Sequence, residues 1–417
     1  MYPEITIRTL INGDVTVVII KLIMNKVLAF FSKPLFSDRK FIFSLWMLVA
    51  LFVSMKHIFR GFSNNFLIFR GVFYHVIDRV NLYVPYPEYF DTNHYGPVFS
   101  LIIAPFALLP VEIGNMLWCL TMAFVLFYAI YRLPVAWHYR VIILYIPLHD
   151  LFTSLLSVQT NPLIAALIIG SYIAVRKEKE GWAACFIILG LFIKLYTIIG
   201  LAFFLFSKNK RKFILYLILW TVIFFVLPMF ISSPRYIVQC YIDWYHSLVG
   251  KNVENTNSLM QDISVMGMIR RIFSLRTMSN LFVLIPALIL FGMQYIGRKW
   301  YGNLSYQLSL LASSLLFIVL FSSGSESVSY VMAMTGVAIW FVVQDRPSGW
   351  WAVFLLVFCF VLTSFSNADF IPKFIRHGLV RDYALKALPC FLVWLALVYQ
   401  LIIPGKNFTK NEEIIKE

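Results

Sequence analysis

The sequence predicts an all-α fold, a polytopic membrane bundle of helices. Only 13% of its 417 residues are charged while 60% are hydrophobic, and the mean hydropathy is +0.80. Soluble domains carry about 25% charged residues. Apolar runs near the roughly 20 residues of a spanning helix recur along the chain, without the alternation of polar and apolar residues that a membrane barrel needs. The excess of basic residues, 35 Lys and Arg against 20 Asp and Glu, gathers in short loops between the apolar runs. That is the positive-inside pattern of a membrane protein, and nucleic acid is not expected as a partner.

Residues 1–40 hold an apolar stretch, 14–36, interrupted by Lys21, Lys26 and Lys33. Such a stretch reads as an in-plane helix on the anionic cytoplasmic leaflet. No short apolar core with a small-residue cleavage site precedes it, so no removable signal peptide is expected. The first span is expected at 41–57, with Arg39 and Lys40 at its cytoplasmic end. The polar stretch 58–97 then lies outside, rich in carboxylates, histidines and tyrosines. Residues 98–112 are broken by Pro105 and Pro110 and too short to cross, so a re-entrant or interfacial helix is expected there.

Spans follow at about 113–131, 138–155 and 161–176. The basic segments RKEKE (176–180) and SKNKRK (207–212) both belong in the cytoplasm, so the stretch between them must turn back. Two arms of a dozen residues cannot each cover the hydrocarbon thickness. The tip, GLFIKLYT, is expected inside the membrane's depth with Lys194 and Tyr196 facing a cavity. Further spans are expected at 212–231, 280–297, 303–322, 328–343, 349–366 and 387–403. This divides the chain into a module 41–231 with its outer loop 58–112, an outer loop 232–279 and C-terminal helices 280–417, about twelve spans in all with the two arms of the reversal counted.

One face collects the chemistry. Outside fall Glu88, Asp91, His94 and Tyr95, the turn from Asp150 to Gln159 and Asn161, then Glu326 and the segment 367–386 with Lys373 and Arg376. Ionisable groups at membrane level are costly and usually functional. A carboxylate here would serve as a general base toward a hydroxyl, and Lys194, Lys373 and Arg376 would steady a phosphate. Tyrosines and tryptophans at this level either stack on sugars or form an anchoring belt. The five cysteines are scattered without metal-ligand spacing. There is no nucleotide-binding fingerprint, and no cofactor is expected.

In order along the chain come NLYVPYPEYFD and HYGPVFSLIIAPFALLP, then SVQTNPLIAALI, then GLFIKLYTIIGLAFFLF. In that order and spacing the chain resembles glycosyltransferase family 87, membrane enzymes of the GT-C fold. The resemblance implies a sugar, mannose or a similar hexose, moved from a polyprenyl-phosphate donor to an acceptor hydroxyl on a glycan, glycolipid or protein. It places the active site on the outer face of a bacterial inner membrane, with a catalytic carboxylate in the first outer loop. The family's acid falls shortly after the first span, where this chain has Ser63-Asn64-Asn65. Either another carboxylate has taken the role, with Asp91, Glu88 and Asp150 the candidates in that order, or activity is altered or lost. Lys194 is then the candidate phosphate ligand. His94, Tyr95, Gln159, Asn161, Tyr196, Glu326, Lys373 and Arg376 complete the candidate substrate contacts, with Glu326 alternatively buried against a cation such as Arg376. The rival readings are a non-catalytic glycolipid-binding protein and a transporter of lipid-linked glycans.

Overall fold

The computed structural model describes residues 33–403 except Phe62, Arg276, 345–348 and 369–370. Most of the in-plane helix expected over 14–36 lies outside the described residues. Among the described residues the protein is helical, with no strand.

The chain divides into two compact units, Met1–Trp46 and Met47–Glu417. In the described part of the first, Pro34–Ser37 forms one turn. Asp38 follows, its carboxylate accepting from the Phe41 N–H at 2.8 Å to cap the next helix. That helix, α1 (Arg39–Arg60), covers the expected first span.

The second unit continues with α2 (Asn64–Asp78), α3 (Phe99–Ala107) and α4 (Val111–Tyr131). Helix α3 has only nine residues and carries Pro105 inside; it packs against α2 and α4, as expected of an element too short to cross. Helices α5 (Trp137–Tyr145) and α6 (Leu148–Leu156) are bent 44° apart, with Pro147 at the break. Next come α7 (Asn161–Arg176), α8 (Glu180–Ile193), a 3-10 segment Leu195–Phe206 and α9 (Lys210–Val226). Beyond α9 lie α10 (Pro234–Asn257), α11 (Val265–Ile272), α12 (Leu281–Met293) and α13 (Leu304–Leu320). The last elements are α14 (Tyr330–Val342), α15 (Trp350–Phe358), which passes into a π turn Cys359–Ser364, and α16 (Ala387–Ile402).

Among the described residues, three helices are long and apolar enough to cross a bilayer, or four if the bent pair is one span, and eight shorter apolar helices run 10–17 residues. The apolar runs behind the expectation of twelve spans thus become helices of two length classes, because Pro, Gly and polar tips interrupt the shorter ones. Helix α13 is buried at every residue, and α14 is buried almost throughout and packs along it. At the other extreme, α9 buries only Phe213 and Phe224 and exposes Leu215, Ile218, Leu219 and Val222. Apolar side chains inside and outside alike mark a bundle made for lipid.

The expected reversal between the basic segments is present. Lys208 Nζ reaches Glu178 Oε1 at 2.6 Å, and the Ser207 hydroxyl donates to Glu180 Oε1 at 3.1 Å. The two ends of the hairpin formed by α8 and the segment Leu195–Phe206 therefore meet. Its arms close tightly because Gly190 has no side chain: a Cβ there would lie 2.2 Å from Thr197 Cγ2. Thr197 Oγ1 instead donates to the Ile187 carbonyl at 2.8 Å, an approach of small residues typical of membrane helices. At the tip Lys194 is extended, with φ −155° and ψ 126°.

Candidate functional site

The polar stretch that follows α1 is held at both ends. Helix α2 stops where Arg79 adopts a left-handed φ of 57° and the Val80 N–H bonds the His75 carbonyl at 3.1 Å. At its other end, Asn64 grips the loop ahead of Asp91. Its side-chain N–H donates to the Phe90 carbonyl at 2.5 Å, and its Oδ1 accepts from the Phe90 N–H at 2.6 Å. Asn65 donates to the Ser157 carbonyl at 2.7 Å. An aspartate in either place lacks the donor these bonds use, so Asn64 and Asn65 have a structural reason to be asparagines where the resemblance implies an acid.

After the clamp, Asp91 takes a left-handed φ of 71°, a conformation Asp tolerates better than most residues. Its carboxylate accepts from the Thr92 N–H at 2.8 Å, lies 3.5 Å from Lys251 Nζ and 3.8 Å from His94 Nε2. His94 first, then Lys251 among the neighbouring charges, hold this half-exposed carboxyl down at about 2. The other ring nitrogen of His94 pairs with Ser247 Oγ at 2.8 Å, and the His94 carbonyl accepts from Trp244 Nε1 at 2.9 Å.

The chain then enters α3 through Tyr95 and Gly96. The Tyr95 ring stacks on Phe99. Its hydroxyl donates to Gln159 Oε1 at 3.3 Å and accepts from Thr160 Oγ1 at 3.4 Å. Gly96 presses on the hairpin tip, its N–H bonding the Ile193 carbonyl at 3.4 Å. A Cβ at Gly96 would stand 2.2 Å from the Phe192 carbonyl oxygen and 3.0 Å from the Trp244 ring. Gly96→Ala is expected to push the loop off the tip, costing about 1–3 kcal/mol as overpacking does; a lowered thermal midpoint in detergent with lost activity would be the reading. An unchanged midpoint would refute the contact.

At the tip, Lys194 Nζ donates to Asn161 Oδ1 at 3.3 Å and stands 4.7 Å over the Tyr196 ring. Asn161 is fixed in turn by donating to the Val328 carbonyl at 3.1 Å, and Tyr196 OH accepts from Ser322 Oγ at 3.2 Å. The turn presenting Gln159 to Asn161 is strained: buried Val158 has φ 49°, unusual for a β-branched residue.

Glu326 closes the group. It caps the turn Ser327–Ser329 with its side chain and accepts from Gln261. Burial pushes its carboxyl above the ordinary range, and its charged neighbours are Lys194, Lys251 and Asp91. The Glu326 loop is laced to 258–264 by Asp262 N–H to Ser323 O at 3.1 Å and Ile263 N–H to Ser325 O at 2.8 Å. Arg270, bonded to the Asp262 carboxylate, and Arg271, donating to the Gln261 carbonyl at 2.6 Å, stiffen this support.

The structure thus brings together Asp91, His94, Tyr95, Gln159, Asn161, Lys194, Tyr196 and Glu326. The remaining candidates differ in their surroundings. Glu88 is exposed on the loop. Asp150 is buried inside the bundle, accepting from Ser364 Oγ at 2.6 Å and facing Lys386, whose ammonium lies over the Tyr330 ring. Lys373 is exposed and Arg376 partly buried on the segment 371–386. The cations facing Glu326 include Lys194 and Lys251. Lys251, Ser247, Thr160 and Gln261 were not singled out in the sequence. The spacing Trp244, Ser247, Lys251 on a helix, i, i+3 and i+7, was the signal available for two of them.

This cluster offers a fixed cation for an anion and two carboxylates of opposite character, one held ionised and one drawn toward its protonated form. The family model described as Glycosyltransferase family 87 matches residues 93–364, more than half of the chain. The chain belongs to glycosyltransferase family 87. No curated protein matches it. The family 87 match takes in His94, Tyr95, Asp150, Gln159, Asn161, Lys194, Tyr196 and Glu326, while Glu88 and Asp91 precede it and Lys373 and Arg376 follow it. As a glycosyltransferase, the protein needs a sugar donor and an acceptor, and its membrane-type bundle carries the polar cluster that could receive them.

Proposed function

We propose that this glycosyltransferase moves a hexose, mannose or a close relative, from a polyprenyl-phosphate donor to an acceptor hydroxyl at the outer face of a bacterial inner membrane. The observation that carries the reading is Lys194, held between Asn161 and Tyr196 at the tip of a hairpin whose arms are too short to cross. A phosphate tethered to a lipid chain reaches such a cation from the bilayer, and the lack of a nucleotide-binding fingerprint agrees with a lipid-borne donor.

In this mechanism the acceptor hydroxyl attacks the anomeric carbon and the bond from that carbon to the phosphate oxygen breaks. The bonding pair leaves with the phosphate, whose growing charge Lys194 balances. The hydroxyl proton passes to Asp91. A carboxyl near 2 is a weak base, but the acceptor proton becomes acidic as the new bond forms. One direct displacement inverts the anomeric configuration. A second reading assigns the base to Glu326, because burial lifts its carboxyl and a base is stronger nearer the working pH.

The direct test offers the purified protein, in lipid nanodiscs, a polyprenyl-phosphate hexose or the matching nucleotide-sugar, with a hydroxyl acceptor. Transfer from the lipid donor alone supports the reading, and transfer from the nucleotide-sugar alone overturns it. Asn64→Asp separates a relocated base from a lost one. It restores an acid near the family's position but breaks the donation to the Phe90 carbonyl. The expected result is slower transfer, because the loop carrying Asp91 loosens; a faster rate would return the base to position 64.

A further inference from the structure

Helix α10, 24 residues long, presents three different sides. Its first side packs inward, with Ile237 and Cys240 buried, Trp244 and Ser247 bonded to the His94 segment and Lys251 on Asp91. Its second side is polar, with Gln239 donating to Asp243 at 2.9 Å and Glu254 beyond. The third carries Val238, Ile242, Tyr245, Val249 and Val253, each between 41% and 65% exposed. The spacing i, i+4, i+7, i+11 and i+15 places them on one stripe, away from the face that touches Asp91 and His94.

We infer that α10 lies in the plane of the membrane, with this stripe sunk into the boundary between headgroups and acyl chains of the outer leaflet. Continuity selects lipid as the occupant. The preceding helix α9 exposes Leu215, Ile218, Leu219 and Val222, Phe230 at the junction is 81% exposed, and α12 exposes Leu281, Phe282, Ile285 and Ile289. An apolar stripe beside a separate polar flank is the build of an interfacial helix. Because the first side of α10 holds the loop at Asp91 and His94, its seating in the leaflet sets the depth of that loop. That consequence for a lipid-borne donor rests on the function proposed above, whereas the seating itself does not.

The test measures depth without measuring transfer. An environment-sensitive fluorophore is attached to Val249→Cys, Val253→Cys or Gln239→Cys in the full-length protein, whose described cysteines are all buried. Each labelled protein is placed in nanodiscs with or without lipids brominated high on the acyl chain. Blue-shifted emission quenched by the brominated lipids is expected at positions 249 and 253, with red-shifted, unquenched emission at 239. Aqueous emission at both stripe positions would overturn the inference. Blue-shifted emission that bromine fails to quench would also overturn it, since a protein surface then covers the stripe. Two stripe positions guard against one variant failing to fold.

Discussion

Replacing Lys194 by methionine is expected to lower kcat/KM for transfer by roughly 10²–10³-fold, the usual cost of removing one fixed group that meets developing charge. Methionine keeps the unbranched stem and removes only the ammonium. The hydrogen bond to Asn161 and the contact with Tyr196 go with it. If the phosphate gains charge as the bond to the sugar breaks, kcat falls more than donor affinity. Initial rates over a series of donor concentrations in nanodiscs separate the two. Lys194→Arg keeps the charge on a planar head that Asn161 does not match, so partial recovery is expected. Unchanged kcat/KM in the methionine variant, with the protein inserted normally, would remove Lys194 from the mechanism.

Asp91→Asn is expected to cut kcat by roughly 10²–10⁴-fold, the range general-base catalysis spans. The pH dependence distinguishes the two carboxylates. Asp91 is held near 2 by His94, then the Thr92 N–H and then Lys251, so it stays ionised well below neutrality. A base must be ionised to work, and wild-type transfer is therefore expected to show no acid limb from this group above about pH 4. Lys251→Met removes a cation, lifts the carboxyl and is expected to bring such a limb into view. If Glu326 is the base, the limb lies above the ordinary carboxylate range in the wild type, and Asp91→Asn remains active. The linkage runs the same way: a carboxyl depressed from its ordinary 3.8 to about 2 adds stability above about pH 4 that is lost as pH falls toward about 2.

Much of the architecture was legible because lipid restricts a chain to few options. The two basic segments around Lys194 demanded a reversal, and Glu178 and Lys208 do meet. Pro105 and the brevity of 99–107 marked a helix that could not cross. Other features were not legible. Helix length was not, since an apolar run does not say where Pro147 or Gly190 will bend or pinch it. The segment 232–279 read as a loop because its polar and apolar residues alternate faces of a helix, and α10 emerges only when its inward face has something to pack on.

The candidate site divides in the same way. Sequence by itself determined the all-helical membrane class, the family and the residue types gathered in the polar loops, because these follow from composition, local hydropathy and motif order. Only tertiary structure decided which of those residues meet. Asp150 and Glu326 are both carboxylates near apolar helices, and nothing local distinguishes them. Packing sends Asp150 toward Ser364 and Lys386 and turns Glu326 toward Lys194, Lys251 and Asp91. Lys251 reaches Asp91 from a distant part of the chain, and such a pairing is set by how helices pack against one another, which no local sequence signal encodes.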